Sequence, residues 1–177
     1  MKIWTIGHST RSFDEFVALL KHYGVKQVAD VRTIPRSRHN PQFEQSALEQ
    51  TLPAAGIAYR HFPALGGLRK VSPGSPNCGW KNAAFRGYAD YMQTPEFAAG
   101  IDELLAWARQ APTAVMCAEA VPWRCHRTLL ADALQVRGHA VIEIIDLESS
   151  RPHPLTSFAK VNGTDIIYPS PQPELPL

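Results

Sequence analysis

Five short apolar runs, at residues 3–6, 25–31, 57–62, 113–117 and 140–145, alternate along this chain with segments whose apolar residues recur at helical spacing. No other feature constrains the fold as strongly. A strand that is apolar at nearly every position must be covered on both faces, and a strand joined to the next through a helix runs parallel to it by a right-handed crossover. The sequence therefore predicts an α/β fold, a three-layer sandwich with a mostly parallel sheet of about five strands. With 177 residues, 45% of them hydrophobic, the chain can bury one core of this kind. We expect a single domain over residues 1–150 and a proline-rich tail over 151–177, with one edge strand near 165–168.

Local signals agree with the alternation. Ser12, with Glu15 three residues on, reads as a capping box ahead of Phe13, Phe16, Val17, Leu19 and Leu20. A second helix is expected over 44–55, closed by Gly56, and a third helical stretch over 85–108, interrupted at Thr94-Pro95, where proline suits a first helical turn. A last helix is expected over 123–137, closed by Gly138. Residues 65–82 are rich in Gly, Pro and Ser without periodicity, and a loop of that length in a small domain reads as functional.

Composition removes several classes of function. Net charge is +2, from 18 Lys plus Arg against 16 Asp plus Glu, so no global basic field argues for nucleic acid and local clustering must carry any such claim. The first residues lack a signal peptide's apolar stretch, and no run is long enough for a membrane span. The expected localisation is cytoplasmic. Three cysteines do not build a disulfide framework, so Cys78, Cys117 and Cys125 read as free thiols, ligands or catalytic groups. No cofactor and no oligomeric state is legible.

Ligands of an open parallel sheet bind beyond the carboxyl ends of its strands. That rule selects His8 and Ser9 after the first strand, Arg32, Arg36 and Ser37 after the second, and the stretch Cys117-Ala-Glu-Ala-Val-Pro-Trp-Arg-Cys-His-Arg127 after the fourth. The eleven-residue stretch holds two thiols, a carboxylate, an imidazole and two guanidiniums. Ionisable groups near a core are expensive unless they neutralise one another or act on a ligand. We take Cys117, Glu119, His8 and His126 as catalytic candidates. Ser9, Arg32, Arg36, Ser37, Arg124 and Arg127 are candidates for binding an anion. Each has a plainer alternative: Cys117 as a small buried hydrophobe, Glu119 in an ion pair that holds its loop, Arg32 paired with Asp30, His8 bonded to a backbone carbonyl. The spacing of Cys117, Cys125 and His126 matches no common zinc pattern, and no metal is assigned. If strands one, two and four are parallel neighbours with strand one central, His8, Arg32 and Cys117 should line one cavity, within about 10 Å of each other.

Thr5-Ile-Gly-His-Ser9, Asp30-Val-Arg-Thr-Ile-Pro-Arg-Ser37, Leu65-Gly-Gly67, Tyr88-Ala-Asp-Tyr-Met92 and Cys117-Ala-Glu-x-x-Pro-x-x-Cys-His-Arg127 together resemble the domain-of-unknown-function family 488. His153-Pro-Leu155 and Tyr168-Pro169 resemble that family's tail. The resemblance implies a compact α/β domain with signature residues at these positions and no settled activity. A weaker similarity, of a strand ending Asp-Val-Arg and a later strand ending in Cys before an Arg and a helix, is to the rhodanese and cysteine-phosphatase plan. There the cysteine is a nucleophile at a helix N-terminus. This chain departs from it, because the segment 117–124 has no glycine and contains Pro122. The functional expectation is an enzyme-like domain that binds an anionic, phosphate-bearing ligand, a nucleotide or nucleic acid among the candidates. The alternatives are a noncatalytic nucleic-acid-binding or adaptor module and a metal-binding protein.

Overall fold

The structure, a computed structural model, describes residues 1–170. The tail prolines at 171, 173 and 176 lie outside the described residues. Six strands form the main sheet: β1 (Lys2–Gly7), β2 (Gln27–Asp30), β3 (Ala58–His61), β4 (Thr113–Cys117), β5 (Ala140–Ile144) and β6 (Ser150–Pro152), in the order β3-β2-β4-β1-β5-β6. The first five are mutually parallel and β6 pairs antiparallel to β5. The expectation of strand one between two and four is corrected by this order. The chain steps outward from β1 to β2 and β3, then returns to insert β4 between β2 and β1.

Helices α1 (Phe13–His22) and α2 (Gln45–Ala54) cover one face, where Phe16, Leu20, Leu48 and Leu52 pack on Ile6, Val28 and Met116. Helices α3 (Ala83–Tyr91), α4 (Pro95–Ala108) and α5 (Arg127–Gln135) cover the other, where Tyr88, Ile101 and Leu129 meet Ile3, Val31 and Val115. The Ser12–Glu15 capping box and the Thr94 cap with Pro95 both form as the sequence implies. The last helix is shorter than expected. Residues 122–124 make a single 3-10 turn, and α5 starts only at Arg127, because Pro122 fits the first position of such a turn and Cys125 is extended. The strand near 165–168 also differs. Here β8 (Asp165–Ile167) pairs with β7 (Lys160–Asn162) in a separate ribbon, while β6 takes the edge of the main sheet. Among the described residues, no helix is long and apolar enough to cross a membrane.

Candidate active site around Cys117

The connection from β1 leads to α1 on one face and that from β4 to α5 on the other, so the sheet parts into a crevice at the carboxyl end of β4. The parallel ladder continues past the strands: the His8 N–H donates to the Cys117 carbonyl (3.0 Å) and the Ser9 N–H to that of Ala118 (2.9 Å). Gly7 permits this closeness. A Cβ there would lie 1.7 Å from the Glu119 carbonyl oxygen, so the segment after β4 crosses directly over residue 7. Ser9 then turns with φ of +52°, a left-handed conformation that a serine adopts at a cost.

Cys117 and Cys125 are both buried, share one cavity wall and ionise interdependently. Burial pushes the Cys117 thiol up, but donation from Cys125, the Arg127 charge and the Glu119 backbone outweigh it and bring the pKa from 9.0 down to about 7. Cys125 moves the other way: hydrogen bonding to Cys117 and burial hold its proton on. The directions favour charge on Cys117 and the proton on Cys125.

Arg127 is the largest fully buried side chain, 1% exposed. One terminal nitrogen donates to the Glu119 carbonyl (3.2 Å), while Nε and the other terminal nitrogen have no partner. Among the described residues no carboxylate pairs with it. A desolvated guanidinium in that condition is costly unless an anion faces it. Its charge is felt by Cys117, Cys125, His126 and Arg11, and among these it favours the ionised form only of the two thiols.

His126 caps α5 and is held neutral. Burial lowers its pKa to about 4 despite donation from Nε2 to the Val31 carbonyl (3.1 Å). That tautomer leaves Nδ1 as an acceptor, 3.5 Å from Cys125 Sγ. Gly67 makes room for the ring, since a Cβ there would stand 2.4 Å from Nδ1. The Arg127 N–H also points at Cys125 Sγ (3.5 Å), so the N-terminus of α5 addresses Cys125.

His8 lies on the opposite side of the sheet. It continues the alternation of Ile6, and its ring stacks on Phe43 at 4.3 Å. Burial lowers its pKa to about 4, Nδ1 donates to the Ser9 carbonyl (2.9 Å), and Nε2 accepts from Arg32 (3.3 Å). Arg32 is committed to Asp30, with Nε at 2.9 Å from one oxygen and a terminal nitrogen at 2.5 Å from the other. Tyr59 also donates to Asp30 (2.7 Å). The expected shared cavity of His8, Arg32 and Cys117 is therefore corrected: side-chain alternation sends His8 to the α1–α2 face.

A cavity of about 360 Å³ opens over the thiols, lined by Cys117, Glu119, Cys125 and His126, with Arg36 and Arg124 exposed at its rim. Arg32 reaches its wall, whereas His8, Ser9, Ser37 and Arg127 do not line it. The Ser37 hydroxyl accepts the Asn40 N–H (3.0 Å). Glu119 holds Arg127 through its carbonyl, and its side chain stays exposed. Among the described residues, no group of three or more His, Cys, Asp or Glu side chains is placed to hold a metal ion.

The family model described as domain of unknown function DUF488 matches residues 12–134, more than half of the chain. The chain belongs to this family. The match takes in the whole of the stretch 117–127 and stops short of β1 before it and β5 after it. Comparison with curated proteins and with solved structures finds no match.

Two buried polar clusters of this DUF488 protein escape the sequence reading. His153 sits between Glu143 (2.8 Å) and Asp132 (2.8 Å), which also accepts from Thr156 and Tyr168. Burial opposes its charge, but the two carboxylates prevail and raise its pKa to about 9. The signal was a carboxylate inside each of two apolar segments, Val-Ile-Glu143-Ile and Leu-Leu-Ala-Asp132-Ala-Leu. In the second cluster, Asp90 accepts from the Ser72 N–H (2.8 Å), Ser75 Oγ (2.6 Å) and Asn77 Nδ2 (2.7 Å), and so folds the 65–82 loop beside the cavity.

Proposed function

We propose that this protein is a cytoplasmic, thiol-dependent enzyme whose nucleophile is Cys117 and whose substrate is a small anionic, phosphate-bearing molecule. The observation that carries this reading is the buried Arg127, which has no carboxylate partner among the described residues; after donation from Cys125, its charge favours the thiolate form of Cys117. A core that only needed to pack would place an apolar residue there. In this scheme Cys117 attacks an electrophilic centre brought into the cavity, and Arg36 and Arg124 at the rim hold the substrate's anionic group. The exposed Glu119 carboxylate at the mouth serves as general acid or base, and Cys125 and His126 set the proton on the thiol pair. His8 and Arg32 act at one remove, fixing the loops after β1 and β2.

One observation favours a second reading, a noncatalytic nucleic-acid-binding module. Trp123 is 58% exposed beside Lys81 and Arg124, with Arg151 5.4 Å above its ring, and the groove these residues line adjoins the cavity. Exposed aromatics among cations suit base stacking.

Iodoacetamide labelling mapped by mass spectrometry separates the two. For an enzyme, Cys117 alkylates faster than the exposed Cys78 at pH 7, sulfate or a nucleoside phosphate protects it, and Arg36→Ala with Arg124→Ala removes the protection. An inert Cys117, together with oligonucleotide binding that survives Cys117→Ser, would replace the enzyme reading with the binder.

A further inference from the structure

Cys125 stands in the same cavity as the nucleophile. It shares the cavity wall with Cys117, its sulfur lies 3.5 Å from the acceptor nitrogen of His126, and it receives the Arg127 N–H. A second thiol in that position is the arrangement a resolving cysteine needs. It is protonated, so it does not compete for the electrophile, and an acceptor nitrogen orients its S–H. The segment joining the two residues is exposed at Ala118, Glu119, Ala120, Trp123 and Arg124.

We infer that Cys117 and Cys125 form a two-electron redox pair that a small hydroperoxide oxidises to an intramolecular disulfide. The thiolate of Cys117 attacks the terminal oxygen of the hydroperoxide, the O–O bond breaks, and an alkoxide or hydroxide leaves and takes up a proton. Cys117 is then a sulfenic acid. The sulfur of Cys125 attacks that of Cys117 as its proton passes to the departing oxygen. The S–O bond breaks, and the hydroxide leaves with that proton as water. In sum, two thiols lose two electrons and the peroxide is reduced to an alcohol, or water, plus water. The disulfide removes the thiolate from the cavity, and an added dithiol restores it by exchange. The inference shares a reactive Cys117 with the proposed function but needs neither an anionic substrate nor the arginines at the rim.

The test uses the full chain, reduced, freed of reductant and exposed to hydrogen peroxide near equivalence at pH 7. Free thiols should fall from three to one, with Cys78 the survivor and a peptide linked through Cys117 and Cys125 in the non-reduced digest. Cys125→Ser should instead trap a dimedone-reactive sulfenic acid at Cys117, and Cys117→Ser should give neither product. Three surviving thiols overturn the inference. So does oxidation of wild-type Cys117 to the sulfinic acid with Cys125 still free, or a disulfide that runs through Cys78. Fast iodoacetamide labelling of reduced Cys117 alongside any of these results leaves the nucleophile reading standing while the redox pair fails.

Discussion

Replacing Arg127 with methionine should separate what the guanidinium does for the thiol from what it does for the fold. The variant loses one charged hydrogen bond, to the Glu119 carbonyl, at a cost of about 1.5–3 kcal/mol. It also removes two buried nitrogens that have no partner, each of which costs about 1–3 kcal/mol to keep. Over both nitrogens the second effect is about 2–6 kcal/mol and covers or exceeds the first, so the variant should be at most about 1 kcal/mol less stable than wild type, against the roughly 3–5 kcal/mol lost when a true buried ion pair is broken. The thiol should change far more. Cys117 lies at about 7 against an ordinary 9.0, and losing the facing charge should move it part of the way back, because donation from Cys125 and the Glu119 backbone remains. The assay is the pH profile of Cys117 alkylation, with urea unfolding in parallel. The profile's midpoint should rise above 7 without reaching 9.0. The rate at neutral pH should fall by less than the lost thiolate fraction, because a more basic thiolate is a better nucleophile. An unchanged midpoint with a stability loss above about 3 kcal/mol would refute the reasoning and make Arg127 a structural residue.

The buried His153 links stability to pH. Its folded pKa of about 9 stands above the unfolded 6.5, so its contribution is fully present below 6.5 and lost as pH rises through 9. The stability gap between wild type and His153→Gln should therefore shrink by about 3 kcal/mol between pH 6.5 and 9.5, measured by urea unfolding. The wild-type curve alone would hide this, because Cys117, whose folded pKa is depressed, gains stability over much of the same range. Asp90→Ala strips three hydrogen bonds from the 65–82 loop and should cost about 3 kcal/mol or more. Trypsin should then cut at Lys70 and Lys81 well below the melting temperature, and unchanged cleavage would mean that other contacts hold the loop.

The strand–helix order was legible because each fully covered strand shows its burial in its own composition, as Thr-Ala-Val-Met-Cys117 does. Helix starts were legible at Ser12 and Thr94, where a capping side chain is followed by a glutamate or a proline, but not at Asn82, which caps α3 without such a companion. Strand order was not, since nothing local to residues 113–117 says that β4 must enter between β2 and β1. That misplacement has little effect on Cys117, which stands at the carboxyl edge under either order, but the parity of the sheet decides His8. The carboxyl-edge rule says at which end a residue lies, whereas the alternation of side chains decides on which face, and the turn after Gly7 carries the alternation one residue further, onto Phe43.

The same distinction explains why the charges of the site were easier to find than their partners. Arginine and cysteine in an apolar stretch are conspicuous by type, but whether Arg32 holds a ligand or Asp30 depends on a contact within its own strand, while Arg127 depends on a carboxylate's absence from a place that only the fold defines. Two arginines of the same sequence class thus end in opposite conditions. Arg32 is buried with its charge matched, and burial then holds the loop. Arg127 is buried with its charge unmatched, and that charge favours the ionised form of a nearby thiol. The thiol stands at a strand end where neighbouring connections part to opposite faces. An unpaired guanidinium is costly to the fold and useful to a nucleophile for the same reason: with little water between them, each charge is stabilised chiefly by the other.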